Sequence, residues 1–369
     1  MKSKFATFII SIVIILIIIV FGIFGYIFWQ EYQEMQETFE PEPIKTEISS
    51  SNDKNANKEE NIKNPQVVES GLDNIEDPNV STNIDYSNID IDKFFYNQLN
   101  DYSKTIYNAF EANKENMKTG TYQIEFGDAF SSLLESENGE ELLGDYYQSA
   151  IEAYTYDNPD VFYLNPNEMY LNINTKSTIF GDTYSVYINN AKDPNYLIEE
   201  FNSKEEIDMA LNSIEQVKNQ ILQNRTSDTY ENVKMVHDYL IDNIEYDTTI
   251  SKENIYNIYG ALVNKEAVCE GYARSFKYLM DELNIPCTIV IGEATNSKGE
   301  TENHAWNYVQ IDGTWYAIDT TWDDPVSRTG IVSESSKYKY FLKTKEEFSK
   351  DHIPSTQFTK GGKEFSYPI

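Results

Sequence analysis

The chain has 369 residues, room for two or three domains once tethers are set aside, and its 40% hydrophobic content is enough for a sizeable core. Against 29 Lys and Arg stand 61 Asp and Glu, a formal net charge of −32. That balance excludes a nucleic-acid-binding function, because phosphate binding needs a basic surface. It also repels anionic membranes and teichoic-type polymers unless a cation bridges them, and is otherwise accounted for by a solvated surface. Two cysteines, Cys269 and Cys287, exclude a disulfide framework. Such scarcity outside the cell is compatible with a bacterial surface protein that relies on its core.

Lys2 and Lys4 precede an apolar run over 5–29, longer than the ~20 residues a membrane-spanning helix needs. Tyr26 and Trp29 close the run, where amphipathic rings favour the interface, and Glu31, Glu34, Glu37 and Glu40 follow it. Lysines on the near side keep the N-terminus cytoplasmic and put the rest of the chain outside. A cleaved signal peptide competes, but its apolar region is usually ~7–15 residues, and no small-x-small site follows. The expectation is an uncleaved single-pass anchor over 1–30. Residues 31–89 are polar and acidic with scattered aliphatics and no period. They are expected to form a disordered linker that holds the following domain off the membrane.

Order resumes near residue 91. Phe94, Phe95, Leu99, Tyr102, Ile106 and Phe110 recur at three and four, an amphipathic helix running toward Met117. A second helix is predicted over 129–156, turned inward by Leu133, Leu134, Leu142, Leu143, Tyr147, Ile151 and Tyr154, and stopped at Asn158-Pro159. Alternation over 169–173 and 183–188, with Gly181-Asp182 between, predicts a β-hairpin. Residues 90–200 hold no titratable cluster with an assignable chemistry. They are expected to be a helical accessory layer, with one wall of a cleft as its further use. Helices over 204–223 and 228–244 follow. In the latter, His237 lies beside the stripe of Val233, Val236, Leu240, Ile241 and Ile244, as a structural histidine does rather than a ligand or base.

Chemistry concentrates in 265–325. Tyr272, Ala273, Phe276, Leu279, Met280 and Leu283 form the stripe of a helix that ends before Pro286. Extrapolated back, they put Cys269 in the first turn on the inward face. Free N–H groups and the positive end of the helix dipole favour a thiolate there, and the same N–H groups can receive a developing oxyanion. Gly271 permits close backbone approach. A small buried hydrophobe accounts equally well for such a cysteine.

Strands over 303–311 and 314–321 flank Asp312-Gly313, a strong two-residue turn signal. With that turn, Ile311 faces Thr314, His304 faces Thr321 and Trp306 faces Asp319, so His304 and Asp319 become diagonal neighbours on one face. Asp319 can then accept from one imidazole nitrogen and leave the other for the thiol. A nucleophile, a base and an orienter result. Asp323 and Asp324, in a turn-forming run, rank below Asp319; Glu270 and Glu302 are expected to be solvated, and Cys287 buried. Trp306, Trp315 and Trp322 form a core cluster, with a cleft-lining Trp306 as the alternative. His237, His304 and His352 are far apart along the chain and no HExxH or CxxC spacing occurs, so no metal or other cofactor is expected. No EF-hand-like loop is present either. A final strand is predicted within 338–342, then a short helical piece near Glu346.

Cys-Glu-Gly-Tyr-Ala at 269–273, His-Ala-Trp-Asn at 304–307 and Trp-Tyr-Ala-Ile-Asp-Thr-Thr-Trp at 315–322 resemble the core of the transglutaminase-like superfamily, with a spacing that fits its bacterial members. The resemblance covers about 228–345. His237-Asp238-Tyr239-Leu240 and Tyr246-Asp247 resemble its lead-in helix, and Asp157-Asn158-Pro159 more weakly resembles an extension of clostridial-type members. It implies an α+β, papain-like fold: a nucleophile helix packed on an antiparallel sheet. It also implies that Cys269 is nucleophile, His304 general base then acid, and Asp319 orienter, with Tyr246 a candidate second oxyanion donor. The expected organisation is an anchor (1–30), a linker (31–89), an accessory region (90–200), a catalytic core (201–345) and a tail (346–369). The expected function is that of a membrane-anchored extracellular cysteine enzyme. It forms a thioester from a protein carboxamide or peptide bond, resolved by an amine (cross-linking) or by water (protease or deamidase). Its partner is a protein or peptide substrate, cell-wall-associated material included. The alternative is a non-catalytic surface module that binds or scaffolds.

Overall fold

The structure, a computed structural model, describes residues 93–179, 181–190, 193–324, 336–355 and 365–369. The membrane anchor and linker expected over 1–30 and 31–89 lie outside the described residues. Among the described residues no helix is long and apolar enough to cross a membrane.

Helix α1 (Asp101–Met117) buries Ile106, Tyr107, Phe110 and Met117 and is capped by Asn100, whose side chain accepts from Ser103 N. Strand β1 (Ile124–Gly127) follows. Two helices, α2 (Ser131–Leu134) and α3 (Gly139–Asp157), replace the single one expected over 129–156. The Ser136 hydroxyl donates to Leu133 O at 2.7 Å and takes over a carbonyl that a continuous helix would use. Gly139 then permits a reversal so tight that a Cβ there would sit 2.1 Å from Leu133 O. Helix α3 stops where Asn158-Pro159 predicts.

Strands β2 (Tyr170–Thr178) and β3 (Gly181–Asn189) form the expected hairpin, but Thr178 pairs with Gly181. Gly181 and Asp182 therefore open the second strand rather than make the turn. Gly181 at φ 122° supplies a backbone angle that other residues rarely adopt. Strand β1 pairs with β3 to complete a three-stranded sheet in the order β1-β3-β2; at four residues it is too short for its alternation to be read beforehand.

Helices α4 (Lys204–Leu222) and α5 (Thr229–Asn243) match expectation, capped by the side chains of Ser203 and Asp228. Two-residue strands β4 (Glu245–Tyr246) and β5 (Glu266–Ala267) pair in parallel, and β5 leads into α6 (Cys269–Glu282), whose buried face is Tyr272, Ala273, Phe276, Leu279 and Met280. Its C-terminus is a Schellman motif: Asn284 is left-handed at φ 55°, Ile285 N donates to Met280 O, and Asn284 N donates to Asp281 O.

The second sheet is antiparallel throughout: β6 (Cys287–Thr295), β7 (Thr301–Ile311), β8 (Thr314–Ile318) and later β9 (His352–Pro354), in the order β8-β7-β6-β9. Helix α6 packs on it through Cys269 and Ala273 against Ile289 and Ala305. The Asn307 amide donates to Ala273 O (2.9 Å) and Thr288 O (3.3 Å), tying helix to sheet. Past β8 the chain forms the one-turn α7 (Thr320–Asp323) and later α8 (Lys345–Phe348). Residues 338–342 form no strand; Lys343 makes one isolated bridge to Ala317, and Leu342 at φ 50° breaks the extension. The sheet edge comes instead from β9 in the tail. Gly292 makes that possible: a Cβ there would lie 2.2 Å from Ile353 O and 2.6 Å from Trp306 Cη2. Gly292→Ala is expected to destabilise the fold by about 1–3 kcal/mol through overpacking, measured as a lower denaturation midpoint. An unchanged midpoint would show that β9 is not seated against β6.

Candidate active site

The start of α6 is set by its surroundings rather than by a cap. Val268 precedes it with no side-chain cap bond, but its N–H donates to Ile255 O at 3.0 Å. Gly271 lets the two segments close; a Cβ there would meet Ile255 O at 2.4 Å and Ala267 Cβ at 2.8 Å. Cys269 is thereby the first residue of the helix, buried on its inner face at 3% exposure.

His304 lies on β7 opposite Gly292 at 4% exposure. Its Nε2 is 2.8 Å from Asp319 Oδ2, and the Cys269 thiol is among the groups that act on the ring. With Nε2 engaged by the carboxylate, Nδ1 is the nitrogen left for sulfur. The turn register is the expected one, from Ile311↔Thr314 to Asn307↔Ile318. The further pairs His304–Thr321 and Trp306–Asp319 do not form, because β8 ends at Ile318. Asp319 instead caps α7, its Oδ1 accepting from Thr321 N (2.9 Å) and Trp322 N (3.1 Å). An aspartate before Thr-Thr turns the backbone out of the sheet to satisfy those donors, and its second oxygen still reaches His304. His304 and Asp319, both singled out in the sequence, therefore meet by a different local route, and Cys269 packs against Ala305, the residue after His304.

Burial works against a charged imidazole, yet the Asp319 carboxylate and the Cys269 thiol outweigh it and hold His304 up to about 10. Burial likewise works against the charge on Asp319, but His304 and His352 hold its carboxyl well below the usual carboxylate range.

Far from His304 along the chain, His352 lies beside it in the fold, which corrects the expectation that the histidines stand apart. Strand β9 puts the two rings 5.7 Å apart, with His352 Nε2 3.2 Å from the same Asp319 oxygen. Its position 33 residues past Asp319, in a three-residue strand, leaves no period or motif that could have found it. His304, Asp319 and His352 are, among the described residues, the cluster whose ligand atoms could hold a metal ion, all lying within 4.8 Å of one another. Each of these atoms is also engaged in a hydrogen bond within the cluster.

The other candidates have separate work. His237 is fully buried between Asp238 (3.0 Å) and Asp323 (3.2 Å), a satisfied structural histidine. Asp323 also accepts from Tyr340 N, and Asp324 accepts from the Tyr272 hydroxyl at 2.6 Å. Glu270 is held by Arg274 at 2.7 Å. Cys287 is buried, and desolvation pushes its thiol up; both cysteines are free. Trp306 belongs to the core with Val290, Tyr308, Ala317, Tyr340 and Phe348, not to a cleft wall. Tyr246 pairs with Ala267, two residues before Cys269. The accessory layer does reach the site: Tyr156 of α3 packs on the cluster of Cys269, Ala273, Ile289 and Ala305. Arg274 pins it there, its guanidinium 4.9 Å from the Tyr156 ring centre and its Nη1 donating to Thr155 O at 2.6 Å.

Residues 215–320 match the sequence model of the transglutaminase-like superfamily, a segment that holds the end of α4, all of α5, and Cys269, His304 and Asp319. The chain is similar to the kyphoscoliosis peptidase of Mus musculus, 27% identical over 149 residues, covering 37% of this chain and 22% of that protein. With the Homo sapiens kyphoscoliosis peptidase it is 25% identical over 160 residues, covering 40% and 24%. The chain thus spans under a quarter of the length of the curated relatives it matches. Among solved structures, one of a TGase aligns at 17% identity and TM-score 0.29, covering 48% of this chain and 51% of that one. The periplasmic domain of TgpA from Pseudomonas aeruginosa, bound to ethylmercury, aligns at 12% identity and TM-score 0.23, covering 38% and 56%.

Proposed function

We propose that this chain, which carries a transglutaminase-like α+β core at residues 215–320, is a cysteine enzyme that transfers acyl groups through a thioester on Cys269. The observation that carries this reading is the buried His304–Asp319 pair at 2.8 Å beside a thiol at the first residue of a helix, which packs against Ala305, the residue after His304.

The steps follow from that arrangement. His304 takes the thiol proton, and Cys269 Sγ attacks the carbonyl carbon of a carboxamide or peptide bond. First-turn N–H groups of α6 receive the oxyanion. The C–N bond then breaks as the imidazolium returns the proton to the departing amine or ammonia, leaving a thioester. An incoming amine or water gives a proton to His304 and attacks the thioester, producing a new amide or a carboxylic acid, and the proton returns to sulfur. Asp319 holds the ring in the orientation both halves require. The substrate under this reading is a protein or peptide. The apolar run after Lys2 and Lys4, with glutamates beyond it, supports presentation of the domain outside a membrane by an uncleaved anchor.

Incubating the full-length chain with a glutamine-rich protein and a fluorescent primary amine tests the reading. Expected are amine incorporation or free acid, with ammonia released where a carboxamide reacts and a new amino terminus where a peptide bond does, a substrate-sized mass adduct on Cys269, and loss of all of these in Cys269→Ala. Absence of any adduct or product across protein substrates would instead favour the non-catalytic binding module.

A further inference from the structure

Asp319 is gripped from two sides, and one of them lies outside the residues given a role above. We infer that His352 is a positioning residue of the proposed reaction, fixing the Asp319 carboxylate that in turn orients His304. This rests on the cysteine chemistry proposed above and extends its machinery to β9, beyond the segment 215–320 that matches the superfamily.

The geometry is specific. His352 enters the sheet opposite Ala294 and is 1% exposed. Its Nε2 is 3.2 Å from Asp319 Oδ2, the oxygen that His304 Nε2 approaches at 2.8 Å from the other side. Its Nδ1 is 2.8 Å from Asp351 Oδ1, and Asp351 Oδ2 accepts from the Tyr340 hydroxyl at 3.0 Å. The ring lies on Phe348 at 3.9 Å and is flanked by Trp322 at 4.6 Å and Trp306 at 5.1 Å. A side chain needed only for volume in that aromatic box would do better without nitrogens, because burying unpaired polar atoms is costly. Here both nitrogens are matched, one of them to the triad carboxylate.

The consequence concerns the freedom of Asp319. Its Oδ1 carries two backbone N–H groups and its Oδ2 faces two imidazoles, so its acceptor sites are filled. Rotation of the carboxylate away from His304 then sacrifices bonds on both oxygens. Without His352, Oδ2 keeps one partner, and the orientation of His304 depends on that bond alone. The titratable groups facing His352 are Asp351 beside it, Asp319 ahead of α7, His304 of β7 and Tyr340; the remaining neighbours are uncharged rings.

The test uses the full-length chain and two variants: His352→Phe keeps the ring volume, and His352→Gln restores a donor near the Nε2 position. In the amine-incorporation assay His352→Phe is expected to lower kcat about tenfold to a hundredfold, a fraction of the ~10²–10⁴ a positioned acid–base group contributes. KM should stay within about threefold and the acidic limb of the pH–rate profile should move toward neutral, because the Asp319 carboxylate has lost a donor. His352→Gln should recover most of kcat. Equal losses in both variants that track melting temperature, or unchanged kcat and pH limb in His352→Phe, would overturn the inference. A separate readout does not depend on catalysis: the downfield proton of the His304–Asp319 hydrogen bond, followed by NMR, should shift or broaden in His352→Phe and be restored in His352→Gln. A proton unmoved in His352→Phe would refute the positioning role even if Cys269 proves reactive. A proton that moves while Cys269 forms no adduct would uphold the grip on Asp319 and refute the acyl-transfer chemistry.

Discussion

Asp319→Ala is expected to lower acyl transfer by about 10⁴-fold, as loss of the orienting carboxylate does in related triads, and to cost the fold about 3–5 kcal/mol. The two effects have one source. The carboxylate is fully buried and serves four donors at once: two N–H groups of α7, His304 and His352. Alanine leaves all four without their acceptor. Asp319→Asn separates the roles, because an amide oxygen can still cap α7 while its NH₂ offers His304 a donor where an acceptor is required. Activity should fall nearly as far as in the alanine variant, with a smaller loss of stability. Chemical denaturation and amine incorporation on the same preparations check both, and an Asp319→Asn chain retaining near-full activity would contradict the orienting role.

The second large effect is at His304. His304→Ala should reduce acyl transfer by about 10²–10⁴-fold, the contribution of a positioned general base. His304→Phe, which keeps the volume, should change how stability depends on pH. In the folded chain His304 is held up to about 10, above the ordinary ~6.5 of histidine. Its ion-pair stabilisation is therefore fully present below about pH 6.5 and is lost as pH rises through about 10. Asp319 is displaced the other way, so its share persists until pH falls well below the usual carboxylate range. Wild-type melting temperature should accordingly decline from about pH 6.5 to 10, while the His304→Phe profile should be flatter there. Parallel profiles would show that the His304–Asp319 contact is not an ion pair.

Local rules were enough for the parts of the site built from local structure. The stripe from Tyr272 to Met280 put Cys269 at the start of α6, and Asp312-Gly313 set the register of β7 on β8, both turn residues taking positive φ. What escaped depends on competition between local and tertiary demands. The capping preference of Asp319 overrode strand continuation, and Ser136 with Gly139 divided a helix whose apolar spacing ran on unbroken. The short β9 carries no alternation of its own and exists because Gly292 leaves room for it. His352 was therefore invisible as a site residue although it touches the predicted aspartate. Burial hid something further. A reactive thiol is expected to meet solvent, whereas Cys269 is buried in a cluster against which Ile291 and, from the accessory layer, Tyr156 pack, so that layer adjoins the site.

The measurement that bears most directly on the central claim is the pH dependence of Cys269 alkylation by a small neutral reagent, in the wild-type chain and in His304→Ala. Mass mapping separates Cys269 from Cys287. If His304 activates the Cys269 sulfur, the wild-type rate should change by less than about threefold between pH 6.5 and 8.5. In His304→Ala the rate should climb about tenfold per pH unit, as for an unassisted thiol. The same steep climb in both chains, or a Cys269 inert in both, would contradict a nucleophile activated by His304 and with it the proposed enzyme.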